Sequence, residues 1–310
     1  MGDNITMLFC LGLLLFFCGL ELNKRSLKDI NGNLIKMIIK LLTDNIILCI
    51  ITGIIITAML QSSSAVSIIL ISLIEAKLIK LKPAVGIMLG ANIGTTLTVQ
   101  ILSLPVLSAY FYFFIAGTFF MVVGKLYKKY LFKIAIILFS FALIFWGLNL
   151  MTIYFNYYSK KLLLTKILSQ NDNILFAILL GGLITAIVQS SSVVTGITLS
   201  LANGGLITLP LAIAISLGSN PGTCITAFLA TINSGEKAKA LAIGHFIFNM
   251  LGIILLFLYY PLFYKLVSLS GDSLMRKIAN AHTLFNIINL LIFLPFYKYF
   301  ISFLRRNINC

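Results

Sequence analysis

Gln189-Ser190-Ser191-Ser192 interrupts an apolar run from Ile174 to Ile207, and the same four residues stand at Gln61-Ser62-Ser63-Ser64. Amides and hydroxyls left without partners in hydrocarbon cost on the order of 1–3 kcal/mol each, so such a run needs protein, water or a solute beside it. The offset between the tetrads, 189 − 61 = 128, also carries Gly90 to Gly218, Asn92 to Asn220, Gly94 to Gly222 and Thr95 to Thr223. It reaches backward as well, from Gly19 to Gly147, Asp44 to Asp172, Asn45 to Asn173 and Thr57 to Thr185. Windows 53–102 and 181–230 agree at about 23 of 50 positions. Similarity at one fixed offset marks an internal duplication.

The composition says what kind of solvent this duplication folds in. The 310 residues are 60% hydrophobic and 10% charged, with mean hydropathy +1.07, whereas a soluble domain is roughly a quarter charged. Apolar segments between short polar joints, without the alternation of a barrel, predict an all-α polytopic membrane protein. The net charge of +15 sits in joints such as Lys24-Arg25, Lys125 to Lys133, Lys160-Lys161 and Arg305-Arg306. That placement signals topology and lipid headgroups, and no basic soluble face exists to bind nucleic acid. Cys10, Cys18, Cys49, Cys224 and Cys310 lack zinc spacing, and the first four read as small packing residues in apolar runs.

Met1 to Thr6 carries Asp3 and no Lys or Arg, and no small-x-small site follows, so Thr6 to Leu22 reads as a first membrane helix rather than a signal peptide. Lys24, Arg25 and Lys28 then place the N-terminus outside. Asn31 to Leu42 and Lys160 to Leu168 read as amphipathic interfacial segments. Ile46 to Leu60 and Ala65 to Leu78 flank the first tetrad and fall short of the roughly 20 residues that a crossing needs. They predict a re-entrant hairpin with the tetrad at its tip, and Ile174 to Ile207 predicts a second. Crossings are expected at Val85 to Leu104, Leu107 to Val123, Ile134 to Tyr154, Leu211 to Ile232, Ala238 to Tyr259 and Ile278 to Phe300. The first is expected to break at Gly90-Ala-Asn-Ile-Gly-Thr-Thr96 and the fourth at Gly218-Ser-Asn-Pro-Gly-Thr-Cys224, where glycine weakens the helix and Pro221 removes a donor. Three crossings before Lys125 start the second half from the opposite side, so the repeats are inverted. The division is residues 1–124, 125–232, and a pair of helices in 233–310 that completes the second half, with Arg305 and Arg306 inside.

No carboxylate falls within a predicted crossing. Proton-driven carriers rely on intramembrane Asp, Glu or His, whereas Na⁺ is held by neutral carbonyls, amides and hydroxyls, so the chain leans toward sodium. Helix N-termini at the midplane suit an anion, through free N–H groups, serine hydroxyls and the helix dipole. Small residues in membrane helices usually serve packing, and a lone serine triplet would be read that way. Two copies, each about 31 residues ahead of a Gly-x-Asn-x-Gly-Thr segment, favour function. His245 and His282 each precede an Asn by four residues, Asn249 and Asn286, which predicts hydrogen bonds to neighbouring helices. A Ser-His dyad of an intramembrane serine hydrolase is the less favoured alternative, because nothing places either His beside a serine.

The doubled Gln-Ser-Ser-Ser, the two Gly-x-Asn-x-Gly-Thr segments and the His-x-x-Phe-Asn pair resemble the sodium-dependent phosphate cotransporters, the type II group and its bacterial relatives. The resemblance implies a multi-pass protein of the cytoplasmic membrane, not an enzyme, that carries inorganic phosphate by sodium-driven symport through inverted repeats. Its partners would be phosphate, Na⁺ and the bilayer, with no cofactor beyond Na⁺ as coupling ion and self-association left open. Another small anion is the alternative substrate. Carried over, the resemblance places Gln61, Ser62, Ser63, Ser64, Asn92, Thr95, Gln189, Ser190, Ser191, Ser192, Asn220 and Thr223 at the substrate. Na⁺ would sit at Gln61, Ser64, Thr95, Gln189, Ser192 and Thr223. Two departures stand out: no His motif follows the first repeat, and the soluble C-terminal domain of many bacterial relatives has no counterpart before Cys310.

Overall fold

The computed structural model describes residues 2–28, 45–104, 110–126, 129–159 and 173–307, and among them it holds helices and no strand. The helices are α1 (Gly2–Lys28), α2 (Ile46–Leu60), α3 (Ser63–Glu75), α4 (Leu81–Leu102), α5 (Tyr110–Leu126), α6 (Lys129–Ser159) and α7 (Ile174–Val188). There follow α8 (Ser191–Asn203), α9 (Leu209–Ala230), α10 (Glu236–Leu258), α11 (Tyr260–Ser268), α12 (Leu274–Phe293), a 3₁₀ turn at Leu294–Phe296, and α13 (Tyr297–Asn307). Among the described residues six stretches are long and apolar enough to cross a membrane: Ile5–Asn23, Leu81–Leu102, Leu131–Tyr158, Leu209–Ala230, Glu236–Leu258 and Leu274–Arg306. The chain is a multi-pass membrane protein of all-α class.

The helices gather into two compact units. One comprises Met1–Asn31, Leu102–Asp172 and Gly196–Thr208. Within it α1 lies antiparallel to α6: a Cβ on Gly19 would meet the Ser140 carbonyl at 2.7 Å, and one on Gly147 would meet the Gly12 carbonyl at 2.5 Å. These contacts are reciprocal under the repeat, since 19 + 128 = 147 and 12 + 128 = 140. Asn23 Nδ2 donates to Ser140 Oγ at 2.8 Å, so a polar pair closes the same seam. Aromatic rings join α5 to α6, with Phe113 stacked on Phe145 at 5.5 Å and Tyr110 on Trp146 at 6.0 Å.

The other unit comprises Gly32–Ile101, Asn173–Thr195 and Leu209–Cys310. Here the duplication is written in atoms. Asn45 Oδ1 accepts from the Ile47 amide at 2.9 Å to start α2, and Asn173 Oδ1 accepts from Phe176 at 3.0 Å to start α7. Gln61 ends α2 with φ 51° and its N–H on the Thr57 carbonyl; Gln189 ends α7 with φ 58° and its N–H on the Thr185 carbonyl. The long helices α4 and α9 press against α2 and α7 through glycine. A Cβ on Gly53 would overlap the Ile87 carbonyl and one on Gly90 the Ile50 carbonyl, and Gly181 with Ile215 and Gly218 with Ile178 repeat the arrangement. Backbones this close leave no room for a side chain and bring Cα–H groups onto carbonyl oxygens.

The expected breaks do not occur. Both α4 and α9 run unbroken through Gly90 to Thr96 and Gly218 to Cys224. The glycines serve close approach instead of weakening the helix, and Pro221 is accommodated by its neighbour. The missing Pro221 N–H would leave the Leu217 carbonyl unbonded, and Asn220 Nδ2 donates to that oxygen at 3.3 Å. Asn220→Ala should therefore cost about 1–3 kcal/mol. Pro221→Ile, which installs the residue found at the equivalent Ile93, should recover part of it; additive losses in a thermal-unfolding double-mutant cycle would refute the substitution of one donor for another.

Other boundaries also shift. The crossing expected at Leu107 to Val123 is the 17-residue α5, shorter than a span as described. Ile278 to Phe300 is instead α12, a turn at Pro295, and α13. Tyr260–Ser268, between two expected crossings, is helical, with Pro261 in its first turn where no amide is needed. The amphipathic segments expected at 31–42 and 160–168 lie outside the described residues.

Candidate functional site

Both tetrads are corners between helices. Gln61 caps α2 in the left-handed region, Ser62 is extended with its Oγ accepting the Ala65 amide at 3.2 Å, and Ser63 and Ser64 open α3. In the second copy Gln189 caps α7 and Ser190 leads into Ser191 and Ser192, which open α8. A non-glycine residue at positive φ is uncommon, and it turns the chain within two residues. The two corners meet: Ser64 Oγ donates to the Gln189 carbonyl at 3.4 Å. Among the described residues neither Gln side-chain amide has a protein partner, whereas Ser63, Ser191 and Ser192 are buried.

Asn92 and Asn220 are placed differently. Asn92 Oδ1 lies 2.9 Å from His245 Nε2, and Asn92 Nδ2 donates to Asn249 Oδ1 at 3.2 Å. Asn220 Oδ1 lies 3.1 Å from His282 Nε2, while its Nδ2 holds the Leu217 carbonyl. Each long helix is thus pinned to a helix bearing a His-x-x-Phe-Asn segment, α4 to α10 and α9 to α12. Asn249 Nδ2 also donates to the His245 carbonyl and Asn286 Nδ2 to the His282 carbonyl. The contacts expected of the two histidines are present, and they go to Asn oxygens rather than to any serine of the tetrads.

Thr95 Oγ1 donates to the Ala91 carbonyl and Thr223 Oγ1 to the Ser219 carbonyl, both at 3.0 Å. A hydroxyl whose proton is committed to its own helix offers only lone pairs outward, which suits a cation better than an anion. The opposite capacity sits at the tetrads, where serine hydroxyls and the first amides of α3 and α8 can donate to an anion. The N-termini of α3 and α8 supply this, and the long helices, being unbroken, add none at their glycines.

Reading the sequence for motifs missed a further set. Among the described residues, buried hydroxyls without a hydrogen-bond partner include Thr57 and Thr185, Ser67 and Thr195, and Thr98 and Thr226. Each pair is separated by 128, and Thr57 and Thr185 pack on Gly94 and Gly222, next to Thr95 and Thr223. The signal was present as hydroxyls at equivalent positions of apolar repeats. Unpaired buried polar atoms are rare in proteins, and this set recurs at equivalent positions of the two repeats. No group of three or more His, Cys, Asp or Glu side chains gathers among the described residues.

The comparisons agree with one another. The Na⁺/Pi-cotransporter family model matches residues 15–153 and 158–289. "Uncharacterized protein YqeW" of Bacillus subtilis (strain 168) is 31% identical over 248 residues, 78% of this chain and 78% of its own. "Putative inorganic phosphate export protein YjbB" of Escherichia coli (strain K12) is 27% identical over 210 residues, 66% of this chain and 37% of its own. "Sodium-dependent phosphate transport protein 2B" of Homo sapiens is 43% identical over 90 residues, 28% of this chain and 13% of its own. No solved structure matches. A family match across both copies of the duplication, joined to the paired tetrads and their shared offset, leads to one conclusion: the chain belongs to the Na⁺/Pi-cotransporter family.

Proposed function

We propose that this chain carries inorganic phosphate across the cytoplasmic membrane together with Na⁺, by alternating access about the two tetrads. The observation that carries the reading is the meeting of the tetrads through Ser64 and the Gln189 carbonyl, which makes one polar centre from two copies. Phosphate is bound by Ser62, Ser63, Ser190 and Ser191 with the first amides of α3 and α8. Na⁺ is held by Gln61, Ser64 and Thr95 in one copy and by Gln189, Ser192 and Thr223 in the other, with the unpaired Thr57 and Thr185 hydroxyls beside them. Asn92 and Asn220 hold the long helices in register, since both ends of each amide are engaged.

The architecture is read as two inverted repeats, 1–124 and 125–232, with 233–310 completing the second. The antiparallel packing of α1 on α6 supports this, because the repeat offset relates the two helices and exchanges their contacts. Helices α2, α3 and α7 have 15, 13 and 15 residues, which supports hairpins that enter and leave on one side.

The test is labelled phosphate flux in proteoliposomes, in both directions, under Na⁺ and under matched K⁺ or choline gradients. Flux that needs Na⁺ and resists sulfate is expected. Equal flux in K⁺ would refute the coupling, and equal competition by sulfate would refute the substrate. Thr57→Val and Thr185→Val each remove one ligand and should raise the Na⁺ requirement about fivefold.

A further inference from the structure

Four cations surround one cavity in the second unit, away from the tetrads. The cavity has a volume of about 430 Å³ and is lined by Lys77, Lys80, Lys237 and Arg305 together with apolar residues such as Ile74 and Ile79. The cations come from three places in the sequence: the turn between α3 and α4, the first turn of α10, and the last turn of α13. None of the four pairs with a carboxylate among the described residues. The nearby acids are engaged elsewhere, Glu75 Oε1 accepting the Gly235 amide at 2.9 Å and Glu236 Oε1 pairing with Lys239 Nζ at 3.2 Å. Like charges held around a cavity repel one another unless an anion sits among them.

The level of the cavity narrows the choice of anion. Lys80 directly precedes the span Leu81–Leu102, Lys237 is the second residue of Glu236–Leu258, and Arg305 lies at the end of Leu274–Arg306. Three spans therefore end around the cavity, which is where hydrocarbon gives way to headgroups. On α13 the exposed Tyr299 and Phe303 stand on the same short helix as Arg305, while Ile301 and Leu304 are buried. Aromatic side chains of this kind sit at the interface level, and basic pockets between membrane helices there take phosphorylated headgroups. The apolar wall beside the cations gives the upper acyl chain a surface, which a free phosphate ion would not use.

We propose that this cavity is a binding site for the phosphate headgroup of an anionic phospholipid. Such a site does not depend on what the tetrads carry. The experiment is native mass spectrometry of the purified full chain with dioleoylphosphatidylglycerol or dioleoylphosphatidylcholine added in detergent. The chain should prefer phosphatidylglycerol. A variant with Lys77→Asn, Lys80→Gln, Lys237→Gln and Arg305→Gln should lose that preference, on the order of a hundredfold in affinity for the anionic lipid. Asn is chosen at Lys77 because φ is 56° there and Asn tolerates that conformation.

A second variant keeps the charges, with the three lysines changed to Arg and Arg305→Lys, and should bind as the original does. That comparison separates lost charge from lost fold. A neutralised variant that still prefers phosphatidylglycerol would overturn the proposal, as would an original chain with no preference. A third arm titrates inorganic phosphate alone: binding that the neutral variant abolishes, with lipid binding unchanged, would assign the cavity to the free ion and overturn the lipid site.

Discussion

Replacing Gln189 by glycine should sharply reduce sodium-dependent phosphate flux and leave the protein folded. Gln189 closes α7 with φ 58°, and glycine adopts that conformation without strain. The corner therefore survives, with its N–H still on the Thr185 carbonyl, and only the side-chain amide is lost. A hydrogen bond to a charged group contributes about 1.5–3 kcal/mol, so the loss should be roughly 10- to 150-fold in flux at limiting substrate. Gln189→Ala makes a useful contrast, because it keeps the Cβ that Gln189 already holds at positive φ, so flux should fall as in the glycine variant without the relief of about 1–2 kcal/mol of strain that glycine brings. Gln61→Gly should repeat the result at the other corner. Unchanged flux in Gln189→Gly would remove the glutamine from the site.

Replacing Gly218 by valine should have the largest effect on folding. Its Cβ would overlap the Ile178 carbonyl, and neither atom belongs to a flexible side chain. Helices α7 and α9 would have to separate along their contact, losing the packing on both faces, and a cost of about 4 kcal/mol or more is expected. Gly90→Val should do the same to α2 and α4 through the Ile50 carbonyl. Gly182→Ala is the milder comparison: its Cβ would meet the Gly218 carbonyl at 3.3 Å, a tight contact short of overlap, and should cost much less than Gly218→Val in thermal unfolding. A Gly218→Val protein that melts with the original would show that the helices are not held at this seam.

The sequence announced the duplication, the class and the helix that leads into the first tetrad. Ile46 and Leu60 bound α2 as expected, because the capping Asn45 and the polar Gln61 are local signals. The unbroken long helices were not legible, since glycine marks a weak helix and a close approach with the same letter. The partner decides between the two, and here it is a carbonyl on α2 or α7. Nor could the Leu217 carbonyl be foreseen as the recipient of Asn220, although Asn beside Pro in a membrane helix is itself a hint. The pairing of His245 with Asn92 and of His282 with Asn220 spans 153 and 62 residues. No fixed offset relates them, so the repeat could not reveal them. Helix α11 lies between two expected crossings, where the sequence reading places no element, although Pro261 in its first turn is a local start signal.

The glycine seams also determine which parts of the second unit can flex. Interdigitated side chains can hop between rotamers and let two helices slide, but a backbone seated on a backbone has no such gears to shift. Helix α2 with α4, and α7 with α9, would travel as rigid couples through any cycle. The compliance is left to the corners, where two residues on each side link one couple to the next helix. Under the proposed transport cycle, the stroke would be the swivelling of bolted plates about two small pivots at Gln61 and Gln189.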